Sequence, residues 1–414
     1  MRVKVLFSVH GYKPAWRIGG PVLSVSSLAE TLVNKGHEVT VFTTNSNLDQ
    51  DLDVPTDREV DVDGVAVHYF RHEEPLKRLF PRVTYLSKSL GILYAPDMAA
   101  ELERHTRSFD VVHTHLPFVY PTFAAARAAF RFERPLFYHQ RGVFDPERLK
   151  FRALKKSLYL SLIEKPILRR ATTLIGLTEA ERESYAALGV DTPCRVIPNG
   201  IHLPEPMSSE RQQMLLAPMN ITRRHMVVLF LGRLHPIKGA DRLLHAFERV
   251  ATQFPDALLV LAGPDEFGIE QAFQERAAAA GLAGRVRFPG MIQGEVKSAL
   301  LHRADLFCLP SDGEGFSMAI LEALAHSTPV LISPGCHFPE VEEYGAGRIA
   351  PLDHDALVSA LGELLANPQP LPVMGAAGRA LVAERYTWES VAAATIEAYE
   401  EGIVRHQRQA KAAR

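Results

Sequence analysis

Two carboxylates eight residues apart, Glu314 and Glu322, stand in the run LFCLPSDGEGFSMAILEALAHSTPVLIS, residues 306–333. A carboxylate only accepts hydrogen bonds, so it suits sugar or ribose hydroxyls rather than phosphate. Gly313 and Gly315 flank Glu314, where bare backbone can approach a ligand closely. Two cations five apart, Arg233 and Lys238, lie in the segment from Gly232 to Gly239. One offers forked donors and the other a point charge, so both can reach a single phosphate; they would serve equally as surface cations. The amino-terminal half holds looser sets. Gly19-Gly20 precedes a helix and either presents backbone N–H groups to a phosphate or forms a flexible turn. His113 and His115 share one face of an extended strand, as structural histidines or facing a ligand crevice. Arg141-Gly142 at a strand end makes either an acceptor-side site or plain loop chemistry.

Strand–loop–helix units must position these groups. The apolar run Leu306–Leu309 is short enough for a buried parallel strand, and a polar loop follows. Met318, Ile320, Leu321 and Leu324 recur at helical spacing, which predicts a helix over 317–325. Thr328-Pro329 stops it, and Val330–Ile332 is the next strand. In open α/β sheets ligands sit at the carboxyl ends of strands, and a helix start suits a phosphate. This unit therefore predicts an anion at Ser317 and hydroxyls on the two glutamates. Further strands are predicted over 3–9, 39–43, 110–116, 136–140, 173–178, 226–231, 258–262 and 286–289, with helices over 22–35 and 240–254. A long helix over 147–170 carries eight basic and two acidic residues around an apolar stripe. Such a stripe either packs on the sheet with solvated charges outside, or lies on an anionic membrane; residues 76–94 add similar composition. A final helix over 388–405 ends in a basic stretch expected to fray.

A chain of 414 residues suits about two domains. The boundary is expected after Asn199-Gly200, dividing 1–200 from 201–387, before the proline-bearing polar stretch to about Asn220. Apolar content of 47% and charge of 23% fit a soluble globular protein, and a net charge of −2 argues against nucleic-acid binding. Cys194, Cys308 and Cys336 show no paired or metal spacing, which predicts free thiols in a reducing compartment. The apolar run at 5–7 is too short for a signal peptide, and no apolar run approaches the roughly 18 residues of a span. No His/Cys cluster with metal-ligand spacing is visible, so no metal is expected. Gly345 to Ala350 matches a relaxed dinucleotide fingerprint but lacks the strand and helix that would frame it.

The nine residues from Glu314 to Glu322, with Ala-Leu-Ala and Pro-Val after them, resemble the Glu-x7-Glu motif of retaining glycosyltransferases of family four. Gly232 to Gly239 resembles the family's Gly-Arg…Lys-Gly segment, and Pro198-Asn199-Gly200-Ile201 its interdomain hinge. The resemblance covers nearly the whole chain, more loosely in the first half. It implies a GT-B fold: α/β, with two Rossmann-like domains whose parallel sheets face an interdomain cleft. The amino-terminal domain would bind the acceptor and be completed by the last helix; the second would bind the nucleotide sugar. It implies that Glu314 and His115 contact the donor sugar, Glu322 the ribose, and Arg233, Lys238, Gly20 and Ser317 the departing diphosphate. Met291, Gly315 and Phe316 would complete the donor site, with Gly19 and Arg141 on the acceptor side. No dedicated base is expected, because retaining members are thought to use the leaving phosphate. The expected partners are a UDP- or GDP-sugar and a lipid-linked or saccharide acceptor of bacterial envelope or exopolysaccharide synthesis. The expected location is the cytoplasm, at the inner membrane face. A sugar-phosphate synthase or epimerase on the same scaffold, or a non-catalytic nucleotide-sugar sensor, are the competing readings.

Overall fold

The computed structural model describes residues 2–48, 50–73, 93–144 and 153–412. Most of the predicted 76–94 stretch and the start of the 147–170 helix lie outside the described residues. The chain forms two compact units, Met1–Gly200 with Trp388–Arg414, and Ile201–Thr387.

The first unit is built on an eight-stranded sheet. Its spatial order is Cys194–Val196, Thr173–Gly176, Leu136–His139, Val111–His115, Lys4–Ser8, Glu38–Thr44, Val65–Phe70 and Val60–Val62. Neighbours pair in parallel except the last two, which form an antiparallel edge hairpin. The inner strands are buried on both faces, as their continuous Val/Leu/Phe runs require. One face packs Val5, Phe7 and Val41 against Val391, Ala392 and Tyr399 of the last helix. The other packs Leu6 and Val112 against Ala125 and Leu168.

The last helix runs Trp388–Ala412, beyond the predicted end. Its basic stretch is not frayed: the Arg405 guanidinium donates to the Thr173 hydroxyl at 2.6 Å. The predicted helix over 147–170 is also not regular. Its described part is Ala153–Tyr159, a π-helical turn Leu160–Glu164, and Lys165–Arg170.

The second unit has a six-stranded, wholly parallel sheet: Val286–Gly290, Ala257–Ala262, Met226–Leu231, Leu306–Leu309, Val330–Ile332 and Gly347–Ile349. Both sheets reverse strand order at their centre, the Rossmann arrangement in which crevices form at the carboxyl ends. Helix Met318–Ala325 starts one residue later than the pattern predicts, with Ser317 as its N-cap. All three cysteines are free. No described helix is long and apolar enough to cross a membrane.

Candidate functional site

In the second unit the order reverses between Met226–Leu231 and Leu306–Leu309, which pair directly. The loops leaving their carboxyl ends, residues 232–239 and 310–317, are therefore neighbours. They are stitched together. The Asp312 amide donates to the Ile237 carbonyl at 2.8 Å, and the Ser311 hydroxyl to the same carbonyl at 3.0 Å. Arg242 donates to the Pro310 carbonyl at 3.1 Å and to both carboxylate oxygens of Asp312 at 2.8 and 2.9 Å. Gly239 adopts a φ of +74°, and a Cβ there would stand 2.0 Å from the Pro310 carbonyl oxygen. Only glycine permits this approach.

The stitching brings Lys238 to Glu314, with Nζ 2.7 Å from each carboxylate oxygen. Glu314 is 9% exposed, and a carboxylate so buried needs a charged or hydrogen-bonded partner. Its own amide donates to the Gly335 carbonyl at 2.8 Å. Glu322, one helix face further on, accepts from Lys297 Nζ at 2.7 Å. Arg233 is half exposed and donates to Glu266 at 2.8 Å. Ser317 makes no side-chain capping bond, so the first N–H groups of helix Met318–Ala325 are left for another acceptor. Gly315 is half-buried, and Phe316 rests near the rings of Phe338 and Tyr386. Met291 follows the last residue of its strand and is 64% exposed.

In the first unit the reversal lies between Lys4–Ser8 and Val111–His115. Gly19 has a φ of +90° and caps helix Gly20–Asn34; a Cβ at Gly19 or Gly20 would meet open space. His115, at the end of its strand, is fully buried and lies beside Arg141. The Arg141 guanidinium donates to His115 Nδ1 at 3.3 Å, to the Ser24 hydroxyl at 2.9 Å and to Asn199 Oδ1 at 2.9 Å. Accepting at Nδ1 places the proton of the neutral ring on Nε2. Burial pushes the Arg141 side chain down to about 10.

The register His115↔His139, with His113 two residues back, sets three imidazoles on one face. Their ligand-capable nitrogens lie within 4.8 Å of one another. Burial lowers all three well below the usual histidine range, reinforced by the Arg141 charge and, for His115 and His139, by neighbouring imidazoles. The expectation that no histidine cluster exists is thus corrected: residues 24 apart in sequence meet across two strands. Neutral imidazoles are competent metal ligands, and the Tyr399 hydroxyl, 2.7 Å from His113 Nδ1, would fix the orientation of that ring. The guanidinium against His115 opposes a cation there, and the donor set contains no carboxylate to offset it.

The structure thus brings together Arg233, Lys238, Glu314, Gly315, Phe316, Ser317 and Glu322 around one sheet reversal, and Gly19, Gly20, His115 and Arg141 around the other. Lys297, His139, Ser24 and Asn199 escaped the sequence reading. His139 had a signal, a histidine at a strand end two residues before Arg141. Lys297 had none, since only the helix packing sets it beside Glu322.

The chain matches the family described as Glycosyl transferases group 1 over residues 225–367 and the Glycosyl transferase 4-like domain over residues 19–200. It is 26% identical to the MMP alpha-(1->4)-mannosyltransferase of Mycolicibacterium hassiacum, over 98% of this chain and 99% of that one. It is 36% identical to the phosphatidyl-myo-inositol mannosyltransferase of Mycobacterium leprae, over 59% of this chain and 64% of that one. Its fold is that of HepE from Anabaena, solved with UDP and glucose, with a TM-score of 0.70 and 20% identity over 97% and 100% of the two chains. The two matched domains, the two Rossmann-like sheets and the relatives agree: this chain belongs to the GT-B glycosyltransferases of family four.

Proposed function

We propose that the protein is a retaining glycosyltransferase that moves a hexose from a nucleotide diphosphate sugar to a hydroxyl of a lipid-linked or saccharide acceptor in envelope polysaccharide synthesis. The observation that carries this reading is the stitched pair of loops that sets Lys238 on Glu314 at the sheet reversal. The chemical demand is a departing diphosphate and a cation-like anomeric carbon. Arg233, Lys238 and the first N–H groups of the helix after Ser317 would stabilise the phosphate charge as it develops. Glu314 and Glu322 accept hydrogen bonds from hydroxyls of the sugar and ribose. The bond from anomeric carbon to phosphate oxygen breaks, the acceptor oxygen bonds to that carbon on the same face, and the acceptor proton passes to the leaving phosphate. Positive charge from Arg233 and Lys238 substitutes for a metal in this scheme, so turnover is expected to survive a chelator. Two relatives are named as mannosyltransferases and one fold neighbour holds UDP and glucose, which makes GDP-mannose and UDP-glucose the first donors to try. A phosphorylated acceptor is the second reading, favoured by the buried Arg141 cation, whose hydrogen-bond partners are all neutral. The expected location is the cytoplasmic face of the membrane.

The test is donor turnover without acceptor, following free nucleotide diphosphate. One donor should be slowly hydrolysed with EDTA present, and Glu322→Ala and Lys238→Ala should each lose roughly a hundredfold, about 3 kcal/mol of barrier. Lys238→Ala also strips a buried carboxylate of its partner. The double variant Lys238→Ala/Glu314→Gln separates the effects by regaining stability without regaining turnover. Hydrolysis unchanged in these variants, or no binding of either UDP or GDP, would sink the reading.

A further inference from the structure

A cavity of about 410 Å³ opens in the first unit between helix Tyr120–Arg131 and the irregular helix over 153–170. Its size falls within the roughly 300–1,000 Å³ of small-molecule sites. Phe123, Phe130, Leu162 and Ile167 supply apolar wall, while Arg127, Arg131 and Arg170 supply positive charge. Leu158 and Leu162 stand four residues apart, 63% and 68% exposed, on one outward face beside it. The intervening π-helical turn begins and ends on inward residues, Leu160 and Glu164.

The charge around this cavity is one-sided. Residues 164–170 carry three basic side chains and one acidic, Glu164. Glu164 points inward, accepting from the Tyr138 hydroxyl at 2.6 Å and the Phe118 amide at 2.7 Å, so it does not neutralise the surface. Arg131 is offset by Glu103. Among the described residues Arg127 and Arg170 have no carboxylate partner, and Arg170 lies over the Phe130 ring at 4.0 Å. An apolar slot rimmed by arginines, two of them without a carboxylate partner among the described residues, with leucines exposed beside it, matches an anionic amphiphile. The helix Tyr120–Arg131 leaves the carboxyl end of Val111–His115 and returns to the amino end of Leu136–His139. Arg127 and Arg131, in its last turns, therefore lie toward the sheet edge opposite His115 and Arg141, away from the candidate reaction site.

We propose that this cavity and its leucine–arginine rim are a docking site for an anionic phospholipid of a bilayer, with the headgroup phosphate on Arg127 and Arg170 and an apolar chain against Phe123, Phe130 and Leu162. This goes beyond the donor-site reading and does not depend on it. It gives a physical basis for holding the enzyme where a lipid-linked acceptor is found.

The experiment is sedimentation of the full chain with vesicles of phosphatidylcholine alone and with phosphatidylglycerol added, for the wild type, Arg127→Glu, Arg170→Glu and Leu162→Ser. Binding should require the anionic lipid. An arginine near an anionic surface is worth about 1 kcal/mol, so each loss should weaken binding roughly fivefold, and charge reversal more. Leu162→Ser should weaken it at unchanged charge. Thermal unfolding and donor hydrolysis at wild-type values would establish that the variants fold, and that this site and the donor site stand or fall separately. Short-chain dihexanoyl phosphatidylglycerol should raise the melting temperature more than glycerol phosphate; equal shifts would reduce the site to a phosphate site and overturn the proposal. So would binding to anionic vesicles that all three variants retain. Binding to no vesicle, with self-association lost in Leu162→Ser, would assign the face to a second copy of the chain.

Discussion

Arg141 holds three segments at once: His115 at one strand end, Ser24 in helix Gly20–Asn34, and Asn199 near the end of the unit. It does so from a left-handed backbone, φ +51°, at which a non-glycine residue is uncommon. A guanidinium can divide its donors among three acceptors in a plane, whereas an ammonium is a point charge. Arg141→Lys keeps the charge and loses the geometry. Its principal loss is the donor that holds His115 in the Nε2–H form. We expect kcat to fall roughly tenfold or more, about 1.4 kcal/mol, with a smaller change in KM. Nitrogen chemical shifts of His115 should report a mixture of tautomers. Unchanged kinetics with an unchanged His115 signal would show that Arg141 only fills space. The same scale explains why Lys238 and Glu314 pair in this structure although their proposed ligands differ. A carboxylate this buried needs a partner that hydrogen-bonds it, and Lys238 supplies one to each of its oxygens.

At the scale of elements, the proposed donor site is two loops held in register by short contacts, and Gly239 lies where only bare backbone fits beside Pro310. Gly239→Ala would force a left-handed backbone on alanine, about 1–3 kcal/mol, and drive its methyl into the Pro310 carbonyl. Gly268→Ala is the matched control: its φ is +65°, but nothing lies within 4 Å of an added Cβ. Both should lower the melting temperature, Gly239→Ala by more, and only Gly239→Ala should weaken nucleotide binding; equal effects would refute the stitched-loop account. These elements were legible because strand, loop and helix each leave a local pattern. Met226–Leu231 and Val330–Ile332 are read to the residue from apolar runs and breakers. The candidate groups on the loops were legible through spacing and resemblance. What was not legible depends on pairing between distant strands or on surface register. The three-histidine face needs the His115↔His139 alignment, which no local pattern encodes. The π-helical turn at 160–164 shifts which leucines face outward, and a 3.6-residue period cannot anticipate it. Composition alone predicts that the basic end of the last helix frays, because its contact with Thr173 lies more than two hundred residues away in sequence.

Over the whole molecule, the two units differ in how they store titratable groups. The first is closed by the end of the chain: a Cβ at Gly200 would stand 2.7 Å from the Trp388 ring, and one at Gly402 2.4 Å from Phe137. Behind that helix lie His113, His115 and His139, and burial lowers each well below its ordinary value; burial also takes His10 down to about 4. The second unit has one comparably shifted histidine, His326, also lowered to about 4, and a milder case in His225. A histidine whose folded value lies below its unfolded value of about 6.5 binds more protons when unfolded. Its stability is complete above about pH 6.5 and is lost as the pH falls toward the folded value, by at most about 1.4 kcal/mol per pH unit for each such group. Four strongly shifted histidines in the first unit against one in the second predict unequal acid sensitivity. Calorimetry from pH 7.5 to pH 5 should show the transition of the first unit moving down further than that of the second. His139→Asn should flatten the difference by removing one titrating group, while His326→Asn should widen it. Transitions that shift together, or a difference indifferent to His139→Asn, would mean that the imidazole cluster is already charge-compensated in the folded chain.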